Sequence, residues 1–194
     1  IFYALSDYIG EKKLNKALSK YVQKVAFQEP PYTTSIDLVN HVKEVTPDSL
    51  NYLIKDMFET ITLYQNRVIE STVSELKNGK YKVDIEFEVS KYRNNEKGRM
   101  FYGNEERDSI SYKTDKMKKP QYSVYLSDYI DIGIFGEDND ENEIELYLKK
   151  HKISSINNKI TLIVDKKPVE VGVDPYNKLI DTNSEDNRKK ITSK

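Results

Sequence analysis

The stretch Y81-K-V-D-I-E-F-E-V-S90 decides what kind of chain this is. Tyr81, Val83, Ile85, Phe87 and Val89 alternate with Lys82, Asp84, Glu86, Glu88 and Ser90. A period of two belongs to a strand with one buried face and one wet face. Asn78-Gly79 stands just ahead of it, the dipeptide of tight hairpins, whose two turn positions both require positive φ. The pattern predicts an antiparallel partner over 66–76. Downstream, further strands are expected over 123–126, 128–135, 143–149, 159–165 and 169–173. Turn clusters at Asn94-Asn95-Glu96-Lys97-Gly98, Asp138 to Asn142 and Asn157-Asn158 separate most of them. Short strands at this spacing imply an antiparallel β-sandwich, immunoglobulin-like in character. Residues 99–121 are less regular and read as a long loop or a ragged hairpin.

Upstream the period changes to that of helices. Phe2, Leu5, Tyr8 and Ile9 share one helical face, and Gly10 can close that helix in the left-handed conformation. Leu14, Ala17, Leu18, Tyr21, Val22 and Val25 mark a second amphipathic helix, which Pro30-Pro31 ends. Thr34 or Ser35 can cap a third, carrying Leu38, Val39 and Val42. Thr46-Pro47-Asp48 signals the start of a fourth: a cap, a proline at the first position, and an acid at the positive end of the dipole. Leu50, Leu53, Ile54, Met57 and Phe58 form its apolar stripe. The fold class is therefore α+β. A helical bundle segment occupies 1–62, an antiparallel β-sandwich 63–175, and a short C-terminal clasp with a frayed tail 176–194, frayed from Arg188-Lys189-Lys190 onward. The first helix starts on bulky apolar residues with no capping side chain ahead of it, so the chain is expected to be a piece of a longer protein.

Bulk properties remove several classes of function. The 194 residues are 32% charged and 37% hydrophobic, with a net charge of −1, which offers no general attraction to nucleic acid or an anionic membrane. Cysteine is absent, so there is no disulfide framework and no thiol nucleophile. No apolar run approaches the roughly 18–20 residues of a membrane helix.

The candidate chemical groups are few. His41 and His151 are the two histidines, and neither stands at a metal-ligand spacing. Asp138, Asp140 and Asn142 follow a D-x-D-x-N pattern, and Asp181, Asn183 and Glu185 imitate it. A calcium loop of the EF-hand type also needs glycine at its sixth position and glutamate at its twelfth. The first loop has Glu143 and Lys149 there, the second Asp186 and Thr192. Gly133-x-x-Gly136 is too short to cradle a phosphate. Tyr81, Tyr112, Tyr125 and Tyr147 lie in strand-like runs and are expected to pack across strands. Tyr92, Phe101, Tyr102 and Tyr122 are the aromatics that could form a binding surface on the sandwich. No residue is assigned a catalytic, cofactor-binding or metal-binding role.

Several strings carry a family resemblance. F2-Y-A-L-S-D-Y-I-G-E11 with L14-N-K-A-L18, P30-P-Y-T-T-S-I-D-L38 and D56-M-F-E-T-I-T-L-Y64 resemble the helical region of zinc aminopeptidases of the aminopeptidase N (gluzincin) type and its exit into a β domain. L126-S-D-Y-I-D-I-G-I-F135, L146-Y-L-K-K-H-K-I153 and G172-V-D-P-Y-N-K-L-I-D181 resemble the end of the branch in which that peptidase is fused behind an ABC-transporter-permease-like membrane region. The resemblance implies that zinc, its ligands, the glutamate base and the transition-state tyrosine all belong upstream of Ile1. Tyr3 and Tyr8 lack the family context of that tyrosine. It also implies a membrane-anchored parent, a peptide substrate, and the N-terminal catalytic region as the partner of this piece, which would wall the cleft and support the peptidase body. Two other readings are a sandwich module binding a protein or carbohydrate partner, and an accessory part of a transporter with an inactive peptidase region.

The stretch from Gly172 to Asn187 reads as a clasp. Asp174-Pro175 starts a turn whose aspartate accepts backbone N–H groups. Tyr176, Leu179 and Ile180 form an apolar set able to dock on the body, and the acidic residues after them face solvent.

Overall fold

A computed structural model describes residues 1–94, 100–101 and 124–192. Apart from Met100 and Phe101, the irregular 99–121 segment lies outside these residues, as do Tyr102, Tyr112 and Tyr122. The chain is α+β and divides into two compact units, Ile1–Thr62 and Leu63–Lys194.

In the first unit, α1 (Phe2–Ile9), α2 (Glu11–Val25) and α3 (Ser35–Val45) place their apolar stripes around Leu5, Ile9, Leu14, Val42 and Ile54. Gly10 has φ 94° and ψ 130°, so its φ is positive but its ψ is extended, not left-handed helical. Its N–H closes α1 on the Ser6 carbonyl while the chain turns directly into α2. At the start of α3 the Asp37 carboxylate accepts from both the N–H and the hydroxyl of Thr34, at 2.8 and 2.9 Å.

The fourth helix departs from expectation. Thr46 does not cap it; its hydroxyl donates back to the Val42 carbonyl (2.9 Å) and closes α3 instead. The residue before a proline is pushed to extended backbone, and Thr46 has φ −84° and ψ 125°. Beyond Pro47 the chain forms a 3-10 turn (Asp48–Leu50), the single turn α4 (Asn51–Ile54) and a π turn (Lys55–Glu59). These changes of pitch bury Leu53, Ile54 and Asp56 together.

The second unit contains the sandwich. One sheet holds β1 (Ile61–Glu75), β2 (Tyr81–Asn94), β3 (Met100–Phe101) and β6 (Asn157–Val164). The other runs in the order β5 (Glu143–Ile153), β4 (Asp128–Glu137), β7 (Pro168–Val173), β8 (Arg188–Lys190). β6 lies antiparallel on β2 from Tyr81↔Val164 to Glu88↔Asn157. Val83, Ile85, Phe87 and Val89 of one sheet meet Ile130, Ile132, Ile134, Val171 and Val173 of the other in one core. Residues 124–127 form no strand, contrary to the expectation for 123–126.

The turn between β1 and β2 is longer than the two-residue type that Asn78-Gly79 suggested. Only Gly79 has positive φ, 77°. The Leu76 N–H reaches the Lys80 carbonyl (2.7 Å), and the Gly79 N–H reaches that of Leu76 (2.9 Å). This is a wider loop with glycine at its left-handed position.

Strand β4 explains why the clasp exists. Ile130, Ile132 and Ile134 face the core, yet Asp131 and Phe135 on the opposite face are buried as well. The segment after β7 folds back over that second face. The N–H of Asp174 bonds the Asp131 carbonyl (2.8 Å), and the Tyr176 ring meets Phe135 edge-on at 6.0 Å between centroids. Gly172 is required by this close return, because a Cβ there would stand 2.8 Å from Pro175 Cβ. The chain then runs parallel to β1: the Tyr64 N–H bonds the Ile180 carbonyl (2.8 Å) and the Thr182 N–H bonds that of Tyr64 (3.0 Å).

Two expectations for this segment need correction. Arg188–Lys190 is not frayed but forms β8 on β7, held by backbone pairing and by Arg188, which ion-pairs with Glu143 and Glu170 and lies over the Phe135 ring. The apolar triplet also divides: Leu179 enters the core at 7% exposure, while Ile180 is 56% exposed. Neighbouring residues of extended chain point to opposite sides. Leu179→Ser is therefore expected to cost about 2–3 kcal/mol and Ile180→Ser to change little. Urea unfolding of the two single variants checks this, and equal losses would refute the division.

Candidate functional site

Among the described residues the buried charged groups lie in the second unit around β4 and the clasp, with one further carboxylate, Asp56, in the first. Tyr64 of β1, Lys91 of β2 and Asp128 of β4 all occupy the core-facing side of their strands. Asp128 accepts from the Tyr64 hydroxyl at 2.8 Å and pairs with Lys91 Nζ at 3.0 Å. The side chains of Lys91 and Asp128 are 3% and 5% exposed. Lys91 also sits 5.8 Å from the centre of the Tyr64 ring. A charge pair this deep survives through its geometry, because each group alone would suffer a large desolvation cost.

On the other face of β4, Asp131 accepts from Lys150 Nζ (2.9 Å) of the neighbouring strand and from Lys178 Nζ (2.8 Å) of the clasp. Asp174 begins the clasp in left-handed backbone, φ 46°. Its two carboxyl oxygens accept the N–H groups of Lys178 (3.0 Å) and Leu179 (2.9 Å). Burial pushes its pKa up to about 7 against those two hydrogen bonds, and the nearby Asp131 and Asp181 add to the rise. Asp181 accepts the N–H groups of Asn66 (2.8 Å) and Asn183 (2.9 Å), and burial raises its pKa too. Asn187, wholly buried, donates from its amide nitrogen to the Asp174 carbonyl (3.4 Å) and to Asn177 Oδ1 (3.3 Å).

This arrangement answers the calcium-like patterns. Asp181 spends both oxygens on backbone N–H groups, Oδ2 on Asn66 of β1 and Oδ1 on Asn183 of its own turn. Asp138 is bonded locally in the turn between β4 and β5, where its Oδ1 accepts from the N–H groups of Asp140 and Asn142, both at 2.9 Å. Those bonds hold the Asp138 carboxyl below the usual range. Among the described residues no three His, Cys, Asp or Glu side chains gather in a set that could hold a metal ion. Gly136 serves close packing, since a Cβ there would stand 2.9 Å from the Lys167 carbonyl.

The histidines fall in different units. His41 Nδ1 meets the Asp37 carbonyl at 2.8 Å, and its ring packs edge-on against Tyr21. His151 Nε2 lies 2.7 Å from the Tyr147 hydroxyl on β5; burial, then Lys149, lowers its pKa, and burial raises that of Tyr147. Tyr81 and Tyr147 pack against the sandwich core as expected. Tyr125 does not: it lies outside any strand and is largely exposed. Tyr92, named for a binding surface, is buried. Sequence reading passed over the Lys91–Asp128 pair, although its signal was present. Lys91 continues the inward series Val83, Ile85, Phe87, Val89, and Asp128 heads the inward series Ile130, Ile132, Ile134. No protein-family model matches the sequence, and no curated protein matches it.

Proposed function

We propose that this chain is the non-catalytic C-terminal portion of a membrane-associated zinc aminopeptidase-like protein, where it walls the substrate cleft and stabilises the peptidase body. The observation that carries a structural role is where the buried charges go. Asp128 and Lys91 tie the two sheets together, Asp131 ties β4 to β5 and the clasp, and Asp174 and Asp181 bind backbone N–H groups. Each of these groups is bonded to a partner within the fold. The strings that resemble the peptidase type fall on α1 and α2, on α3 and the loop before it, and on the π turn into β1; those that resemble its membrane-fused branch fall on β4, on β5, and on the end of β7 with the clasp. Ile1 and, on α1, Phe2 and Tyr3 leave apolar surface exposed, which suits packing against a further part of the same protein.

His41 and His151, each bonded locally in its own unit, do not make a zinc donor set, so in this reading zinc and its chemistry belong to the upstream region. The purified chain is expected to release no nitroaniline from aminoacyl-nitroanilides, with or without added zinc. Zinc-dependent release would overturn the proposal. The coding sequence for roughly 150 residues ahead of Ile1 is expected to contain H-E-x-x-H followed by a distant glutamate.

A further inference from the structure

Helix α2 carries five lysines and one glutamate, a net charge of +4 on 15 residues, although the whole chain is close to neutral. Lys12, Lys16, Lys20 and Lys24 recur every four residues with Lys13 beside them, and all five are exposed. At 100° per residue they span an arc of about 120°, which lies well away from the buried Leu14 and borders the buried Ala17. Three residues beyond Lys24 stands Phe27, held at φ 60° with its ring wholly in solvent. Positive φ is costly for a bulky side chain and persists where the surroundings impose it. In the same loop the Gln28 side chain bonds the Pro31 carbonyl, and the Tyr21 hydroxyl lies 2.9 Å from Thr33 Oγ1. Tyr32, in the same loop, is also largely exposed.

We propose that the lysine face of α2 and the aromatic tip of the loop after it form a surface that docks on an anionic lipid membrane. The lysines meet the headgroups, and Phe27 enters the boundary between headgroups and acyl chains. The choice of partner rests on residue chemistry. Alpha2 has no arginine, the residue suited to bidentate recognition of single phosphates or carboxylates. Lysines spread along a face act as point charges in the diffuse field of a charged bilayer. An exposed aromatic beside them adds the apolar anchor that interfacial binding requires. Glu29 is the one acid in the loop, and its single charge leaves the positive excess of the helix in place. The inference does not depend on the peptidase reading.

Co-sedimentation of the whole chain with phosphatidylcholine vesicles, with and without phosphatidylserine, tests it. Binding is expected to be at least about tenfold stronger with phosphatidylserine and to fall at high salt. Lys16→Glu combined with Lys20→Glu should abolish it, and Phe27→Ser should weaken it about tenfold. All three positions are exposed, and circular dichroism verifies that the variants remain folded. Equal binding to neutral vesicles, or none to either, would overturn the proposal, and the wild-type comparison alone decides that. Binding to soluble polyglutamate as strong as to vesicles, with Phe27→Ser unchanged, would assign the surface to an acidic macromolecule and overturn it too.

Discussion

Asp128→Ala is expected to destabilise the sandwich by about 3–5 kcal/mol, because it leaves the Lys91 ammonium buried without its carboxylate. The same substitution removes the acceptor of the Tyr64 hydroxyl, which is also buried. Replacing both charged partners, Lys91→Met with Asp128→Leu, should recover most of that loss. Apolar side chains of similar volume fill the space without any charge to desolvate. Denaturant unfolding of the single and double variants forms a cycle that separates the two cases. If the double variant were no more stable than Asp128→Ala, the loss would come from packing around Asp128 and not from the stranded lysine.

Asp174 should make the fold less stable as pH rises, the reverse of an ordinary ion-paired carboxylate. Its folded pKa of about 7 stands above the unfolded 3.8. Between those values the folded chain holds a proton that the unfolded chain releases, so stability falls from about pH 4 to pH 7 and then levels off. The difference in pKa corresponds to about 4 kcal/mol across that window. The raised pKa of Asp181 acts in the same sense, while the exposed Asp37 and Asp138, with lowered values, act weakly against it. Asp174→Asn keeps a residue that tolerates left-handed backbone and has no charge to bury. Melting curves at pH 5 and pH 8 should show the wild type losing stability at the higher pH and the variant losing much less. A parallel decline in both proteins would show that Asp174 is not the source.

The parts of the fold that could be read in advance are those with one wet face. Strand β2 alternates cleanly because its outer side meets water, and its course agrees with the sequence reading. Strand β4 is buried on both sides, so its string Asp128 to Phe135 shows a strand without showing what covers Asp131 and Phe135. The cover comes from residues more than forty positions later, and no local pattern announces a partner so distant. Arg188-Lys189-Lys190 looked like a solvated tail because its strand is held by backbone pairing and ion pairs, with no apolar side chain to mark it. The fourth helix was legible as an apolar stripe, but its pitch changes were not, since they answer to packing around Leu53 and Ile54. The acidic patterns were readable as loops; the bond from Asp181 to the Asn66 N–H appears only once β1 and the clasp lie side by side.

The clasp also orders events in time. The bond from the Asn66 N–H to Asp181 spans 115 residues, and every strand from β1 to β7 precedes the segment that makes it. Contacts of such separation form late, because a long loop must close before they return any energy. Until then the second face of β4 lies bare, with Phe135 uncovered and the far edge of β1 unpaired. A nascent or partly unfolded chain would therefore present this apolar face in the interval before the clasp arrives. Chaperone dependence and aggregation during synthesis should be governed by that last closure more than by the strength of the core beneath it.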